Sequence, residues 1–301
     1  MAARYEKLAR RGELRRRAEQ AKQLLANCKL CPHECGVNRL AGELGRCRTG
    51  AQAIVSSVQP HYGEERPLVG RRGSGTIFFA NCNLACIFCQ NYDISHEGRG
   101  VPCSAREIAD MMLDLQAVGC HNINFVTPTH VVPQILEALA LAADEGLSVP
   151  LVYNSGGYDS VETLKLLDGI IDIYMPDAKY ADAEIAVRLS SAPNYPEVMK
   201  AALKEMHRQV GDLRMDENGI AIQGLLVRHL VLPENLAGTA EIMRFLAEEI
   251  SPDTYVNVMA QYRPLYRASE YPPVNRYPTR EEYEEAVRLA LEAGLHRLDE
   301  R

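Results

Sequence analysis

The chain has 301 residues, 47% of them apolar and 24% charged, with a net charge of -7. That composition gives a globular protein with a sizeable core and excludes a basic nucleic-acid binder or a cationic membrane-surface binder. No apolar run approaches the ~18 residues that span a bilayer, and no signal-peptide core opens the chain, so a cytoplasmic location is expected. In that reducing setting, nine cysteines point to metal binding or catalysis rather than disulfides.

Residues 4–26 contain few turn formers and read as one helix. Its basic run, Arg10-Arg11 to Arg15-Arg16-Arg17, is interrupted by Glu13 as on a solvated face. Cys28, Cys31, Cys35 and Cys47 follow in a glycine-rich stretch without periodicity. From about residue 74 apolar strands alternate with helical periodicity. Strands are predicted at 75–80, 123–126, 150–154, 170–175, 220–232 and 255–259. Between them, 132–145, 161–167, 196–210 and 239–250 read as helices. So does the segment opened by Ser104 with Glu107 three residues on, a capping box. A last helix starts at Thr279, with Glu282 three residues on, and ends at Gly294.

Near-continuous apolar strands alternating with helices imply a parallel sheet buried on both faces. Six such strands are too few for a closed eight-stranded barrel. The expected fold is therefore α/β, a partial (β/α)6 barrel of parallel strands over residues 71–301. An N-terminal helix and a cysteine-rich, metal-binding extension over residues 1–70 precede it.

The sequence Asn81-Cys-Asn-Leu-Ala-Cys-Ile-Phe-Cys-Gln-Asn91 lies just after the first strand, at the end where ligands bind in parallel α/β folds. Cys82-x3-Cys86-x2-Cys89 packs three thiols into eight residues. One loop can wrap a [4Fe-4S] cluster with them and leave one iron without a cysteine ligand. The alternative is a structural zinc or a closed cluster completed by Cys103 or Cys120. Cys120, at a helix end before an apolar strand, also fits a small buried hydrophobe.

These residues, with Phe88 just before the third cysteine, resemble the signature of radical S-adenosylmethionine enzymes. The resemblance implies that the open iron chelates the amino and carboxylate groups of S-adenosylmethionine. One electron then releases methionine and a 5′-deoxyadenosyl radical that abstracts hydrogen from the substrate. It also implies that later strand ends hold the cofactor. Relatives often carry Gly-Gly-Glu after the second strand; here Thr127-Pro128-Thr129 stands there, and its backbone carbonyls can take the ammonium hydrogens. His130 fits either a helix start or a functional role.

Asn154 and Ser155 before Gly156-Gly157 can reach the carboxylate or ribose. Asp177 and Lys179 alternate onto one face of an extended segment and bracket a charged ligand. They resemble the Asp-x-Lys of glycyl-radical-enzyme activating enzymes, where it lies beside the cofactor's carboxylate. Arg228 interrupts an apolar strand, where a guanidinium needs a partner, and an Arg in this strand contacts the cofactor in those relatives. Asn257, Met259, Gln261 and Tyr262 at the sixth strand are candidates for an adenosine pocket.

Cys28-x2-Cys31-Pro-x2-Cys35 and Cys47 form a second set, four thiols that satisfy either zinc or an auxiliary iron-sulfur cluster. Together with the intervening Gly-Val-Asn-Arg-x2-Gly-Glu-x-Gly, they resemble the leader of a branch of homologues of the pyruvate formate-lyase activating enzyme. The resemblance runs over about residues 28–294 and implies glycyl radical installation on a partner protein, with a flavodoxin or ferredoxin as electron donor. The alternatives are a radical enzyme acting on a small molecule or another peptide, and a non-catalytic metal-binding protein.

Overall fold

The computed structural model describes residues 3–299. Where one leading helix is expected there are two, Tyr5–Arg10 and Glu13–Gln23, followed by a 3-10 turn at Leu24–Asn27. Gly12 causes the break: at φ 70° it is left-handed and cannot continue a right-handed helix. The second of the two buries Leu14, Ala18 and Ala21 and packs against the helix Val132–Asp144.

The strands, in chain order, are β1 (Ala53–His61), β2 (Ser74–Phe79), β3 (Val101–Cys103), β4 (Ile123–Val126) and β5 (Leu151–Ser155). They continue as β6 (Ile173–Pro176), β7 (Arg214–Met215), β8 (Ala221–Leu230), β9 (Tyr255–Met259) and β10 (Arg297–Leu298). One sheet runs β10-β9-β8-β6-β5-β4-β2-β1-β3, with β7 beside β8. Every pair from β10 to β2 along that path is parallel. The six expected strands are β2, β4, β5, β6, β8 and β9. Among the described residues the two ends of the path do not pair, so the barrel is unclosed, as expected.

β1 and β3 add an antiparallel edge that the sequence pattern does not reveal. β1 is only half-buried along most of its length and carries Pro60, tolerated because strands near an edge need fewer ladder donors. The expected boundary at residue 70 thus falls between two paired strands of one sheet.

Both predicted capping boxes form, Ser104 with Glu107 and Thr279 with Glu282; each is worth about 1 kcal/mol. Parallel register aligns Phe78, Val126, Asn154 and Met175 across β2, β4, β5 and β6, and Arg228 beside Asn257 in β8 and β9. Below that row Leu68, Val152, Ile173, Leu213 and Leu226 form an apolar cluster, and the buried Thr76 and Asn124 share the register of Val152. Polar groups gather at the strand ends above it.

Candidate active site

The loop after β2 begins at Asn81, held at φ 68° while its side-chain amide donates to the Thr49 hydroxyl and the Arg48 carbonyl. The loop then docks on the end of the helix Ala183–Ser190. Ala85 N–H donates to the Ser190 carbonyl and Ile87 N–H to that of Leu189, each at 2.9 Å. This fixes the three thiols within electrostatic reach of one another: each of Cys86 and Cys89 disfavours ionisation of Cys82, on top of burial. Every sulfur also has a hydrogen-bond partner. Leu84 N–H donates to Cys82 Sγ at 3.3 Å and the Ser190 hydroxyl to Cys86 Sγ at 2.9 Å; Cys89 Sγ lies 3.0 Å from Ser95 Oγ. Such donors stabilise thiolate ligands and tune a cluster's potential.

Cys86, Phe88 and Cys89 line one cavity of 190 Å³ with Asp177, Lys179, Arg228, Leu230, Met259 and Gln261. Residues from four separate parts of the sequence thus meet at the carboxyl ends of the strands. Phe88 rests edge-on against Tyr262, ring centroids 5.4 Å apart. The charges in the cavity are coupled: Arg228 Nε donates to Asp177 Oδ1 at 2.7 Å and Lys179 Nζ to Asp177 Oδ2 at 2.6 Å. Arg228 Nη2 also donates to Asn154 Oδ1 at 2.7 Å. Burial would raise the Asp177 pKa, but Arg228 and Lys179 outweigh it and hold the carboxyl below its ordinary range. Lys179 is raised in turn; Asp177 overcomes the burial that would neutralise it.

Backbone packing sets this geometry. The Tyr195 hydroxyl is 2.8 Å from the Gly156 carbonyl and 2.9 Å from that of Asp177, and accepts from Lys179 N–H. Gly157 has φ 74°, and a Cβ there would stand 2.1 Å from the Asp177 carbonyl oxygen. The glycines after β5 therefore admit protein atoms, the Asp177 backbone at Gly157 and the Leu84 side chain at Gly156, rather than a ligand.

Other expected site residues lie elsewhere. The Ser155 hydroxyl donates to Asp159 Oδ2 at 2.6 Å and the Thr129 hydroxyl to Asp159 Oδ1 at 2.7 Å, so both are turned to a buried carboxyl. Thr127, left-handed at φ 61°, ties β4 to β5 by donating its N–H to the Asn154 carbonyl. None of these three lines the cavity. The His130 imidazole is buried, bonded through Nε2 to the Ala80 carbonyl at 3.0 Å. Asn257 turns away and donates to Glu65 Oε1 at 2.8 Å. Cys103 sits in β3 and Cys120 in the core, both outside the cavity. Glu64, which the sequence reading passes over, reaches within 3.8 Å of Arg228 from the segment after β1.

The four N-terminal cysteines are laced together beside this loop. Gly36 N–H donates to the Cys28 carbonyl, and Cys28 N–H to that of Val37. Arg46 N–H donates to Cys35 Sγ at 3.3 Å. Burial pushes the Cys31 thiol up to about 12, with Cys47, Cys28 and Cys35 adding to the rise. His33 joins the two sets: its Nε2 lies 2.8 Å from the Asn83 carbonyl.

The sequence model of the radical SAM superfamily matches residues 76–246. The chain belongs to the radical SAM superfamily. That membership implies a [4Fe-4S] cluster and S-adenosylmethionine, and it makes the protein an enzyme of S-adenosylmethionine cleavage in the general sense. The chemistry of the donor set fits: three thiols on one loop, hydrogen-bonded at sulfur, beside an open, charged cavity. A Methanocaldococcus jannaschii relative, Uncharacterized protein MJ0674, is 37% identical over 289 residues, which is 93% of this chain and 78% of that protein. Among solved structures, HydG, a maturase of the [FeFe]-hydrogenase, aligns with a TM-score of 0.49 at 14% identity over 73% of this chain. The chain spans about half of HydG, 49% of its length. TYW1 with a lysine-pyruvate adduct bound aligns with a TM-score of 0.43 at 11% identity, covering 72% of this chain and 73% of that one. No helix among the described residues is long and apolar enough to cross a membrane.

Proposed function

We propose that the chain uses Cys82, Cys86 and Cys89 to hold a [4Fe-4S] cluster at which S-adenosylmethionine is reductively cleaved, and that the resulting radical abstracts hydrogen from a glycine of a partner protein. Bound there, the cluster supplies the electron that separates methionine from the 5′-deoxyadenosyl group. The observation that carries this reading is the cavity shared by Cys86, Cys89, Asp177, Lys179 and Arg228.

In that cavity the charged side chains have complementary tasks. Lys179 and Arg228 attract the carboxylate of the methionine moiety, while Asp177 keeps both cations oriented and accepts from its ammonium. Asn154 fixes the guanidinium plane from behind. Phe88, backed by the buried Tyr262, walls the loop side and excludes water from the radical's path. The unclosed side of the sheet favours a substrate segment that enters from a partner, with a flavodoxin or a ferredoxin as donor.

A second reading, a small-molecule or short-peptide substrate, is favoured by Glu64. Its carboxylate lies within 3.8 Å of Arg228 and adds an acceptor there for a polar group of a small substrate.

The test is anaerobic reconstitution followed by S-adenosylmethionine and a strong reductant, with 5′-deoxyadenosine as readout. A loaded cluster that yields none overturns the reading. Electron paramagnetic resonance with candidate partner proteins then separates the substrates: a protein-based glycyl radical supports activation, and its absence with every candidate favours the small molecule.

A further inference from the structure

Arg39 is among the largest fully buried side chains of the protein, 1% exposed. Its Nε and Nη2 donate to the Gly50 carbonyl at 3.0 and 2.8 Å, and Nη1 donates to the His130 carbonyl at 2.8 Å. Among the described residues no carboxylate pairs with it. Carbonyls satisfy its hydrogens but carry no net charge, and a guanidinium cannot shed its proton to escape burial. A buried, uncompensated cation is costly, so a counter-charge must lie nearby. Of the groups it touches, the one that can become an anion is Cys28, whose Sγ is 3.9 Å from Nη1.

Cys28 does not stand alone. Its backbone pairs with Gly36 and Val37, next to Cys35. Cys35 in turn presses on Gly45, where a Cβ would come within 2.9 Å of both its Cβ and its Sγ. Two non-glycine residues flanking ligand positions, Glu34 at φ 40° and Arg48 at φ 54°, are held left-handed. The segments that carry Cys28, Cys35 and Cys47 are thus held in a tight, strained turn of backbone.

We propose that these four cysteines bind a metal centre as thiolates, and that Arg39 is the counter-ion of its net negative charge. Four thiolates around Zn²⁺ or a [4Fe-4S] cluster in its 2+ state leave a dianion, the charge that Arg39 lacks. When Zn²⁺ binds, or when a preformed [4Fe-4S] cluster in its 2+ state is transferred from a carrier protein, each thiol releases its proton to solvent and no electron changes hands. Four protein donors close the coordination, so this centre takes no substrate. Through His33 on Asn83 it braces the loop that carries Cys82 and Cys86.

The test begins with metal and sulfide analysis of the full chain purified anaerobically. A full-length variant with Cys82, Cys86 and Cys89 all replaced by Ser is analysed beside it. That variant is expected to keep about four iron atoms with sulfide, or about one zinc ion, per chain; the element found decides between the two centres. Adding Cys31→Ser and Cys47→Ser should remove it. A triple variant with native circular dichroism but no metal overturns the site, as does metal that survives loss of Cys31 and Cys47. Chelator competition on the full chain then tests the counter-ion. Arg39→Gln should loosen the metal roughly 10-fold or more while Arg39→Lys retains most of the affinity. If Arg39→Gln does not fold, the Lys variant decides: retention supports a charge role, and loss equal to that of the cysteine variants overturns it.

Discussion

Arg228 is largely buried and Arg39 fully buried, each beside one of the two cysteine sets, and they are neutralised in different ways. Arg228 meets Asp177, with Glu64 and Asn154 close by, in a cavity open to a ligand. Arg39 meets carbonyls and one cysteine sulfur, in a place with no such opening. Protein carboxylates thus balance the cation of the open cavity, whereas at Arg39 the balance falls to the metal centre proposed above. The same contrast separates the three-thiol loop beside the open cavity from the four-thiol set proposed to fill its own coordination.

The comparison breaks most directly at the thiols of the open site. Replacing any one of Cys82, Cys86 or Cys89 by Ala should lower 5′-deoxyadenosine formation by at least roughly 10³-fold, because the three ligands act as a unit. Chromatographic quantitation of 5′-deoxyadenosine under strong reductant checks it, and residual turnover near wild type would mean that the cluster sits elsewhere.

Glycines test the tightness of the two regions. Gly157→Ala forces a left-handed alanine and drives its Cβ onto the Asp177 carbonyl, a backbone atom that cannot yield. A loss of about 4 kcal/mol in unfolding free energy is expected. Gly45→Ala meets the Cys35 side chain instead, at 2.9 Å and without a positive φ, so about 1 kcal/mol is expected. Denaturant unfolding of both variants under identical metal loading gives the difference; equal losses would contradict it.

Arg228→Ala leaves Asp177 buried with Lys179 as its one remaining cation and Asn154 without its donor. About 3 kcal/mol of stability should go, at the low end for breaking a buried pair because Lys179 stays. Cleavage should fall as well, with a raised KM for S-adenosylmethionine. Asn154→Ala, which removes only the support behind the guanidinium, should show the KM effect with a smaller loss of stability.

The legible part of this molecule is the part governed by local pattern. The Cys82-x3-Cys86-x2-Cys89 spacing and the apolar runs that became β2, β4, β5, β6, β8 and β9 are visible because each is written within a few consecutive residues. The helix break at Gly12 was hidden, since a single glycine in a helix-forming stretch is compatible with either outcome. β3 has three residues and β1 is half-exposed, too little signal to stand out from a loop. The destination of the Ser155 and Thr129 hydroxyls depended on Asp159, whose burial is a product of packing. Arg39 reads in sequence as an ordinary loop residue; only the fold seals it away from water.

Acid offers the gentlest probe, because each region also holds one buried neutral imidazole. His130, whose carbonyl takes Arg39, and His229, next to Arg228, are both pushed down to about 4 from the ordinary 6.5, mainly by burial. The unfolded chain protonates each near 6.5, whereas the folded chain resists until about 4. Stability is thus fully present above pH 6.5 and falls as the pH drops toward 4, by about 1.4 kcal/mol per pH unit for each histidine. The two should respond differently to substitution. His229 uses both ring nitrogens, Nδ1 on the Ala178 carbonyl at 2.7 Å and Nε2 on the Thr239 hydroxyl at 2.9 Å. His130 Nδ1 has no hydrogen-bond partner among the described residues. Replacing His229 by Gln should therefore cost more at pH 8 than the same change at His130, while either one removes about half of the acid slope contributed by the pair. Urea unfolding between pH 8 and 4.5 reads both quantities, and an unchanged slope in both variants would show that neither imidazole carries the acid sensitivity.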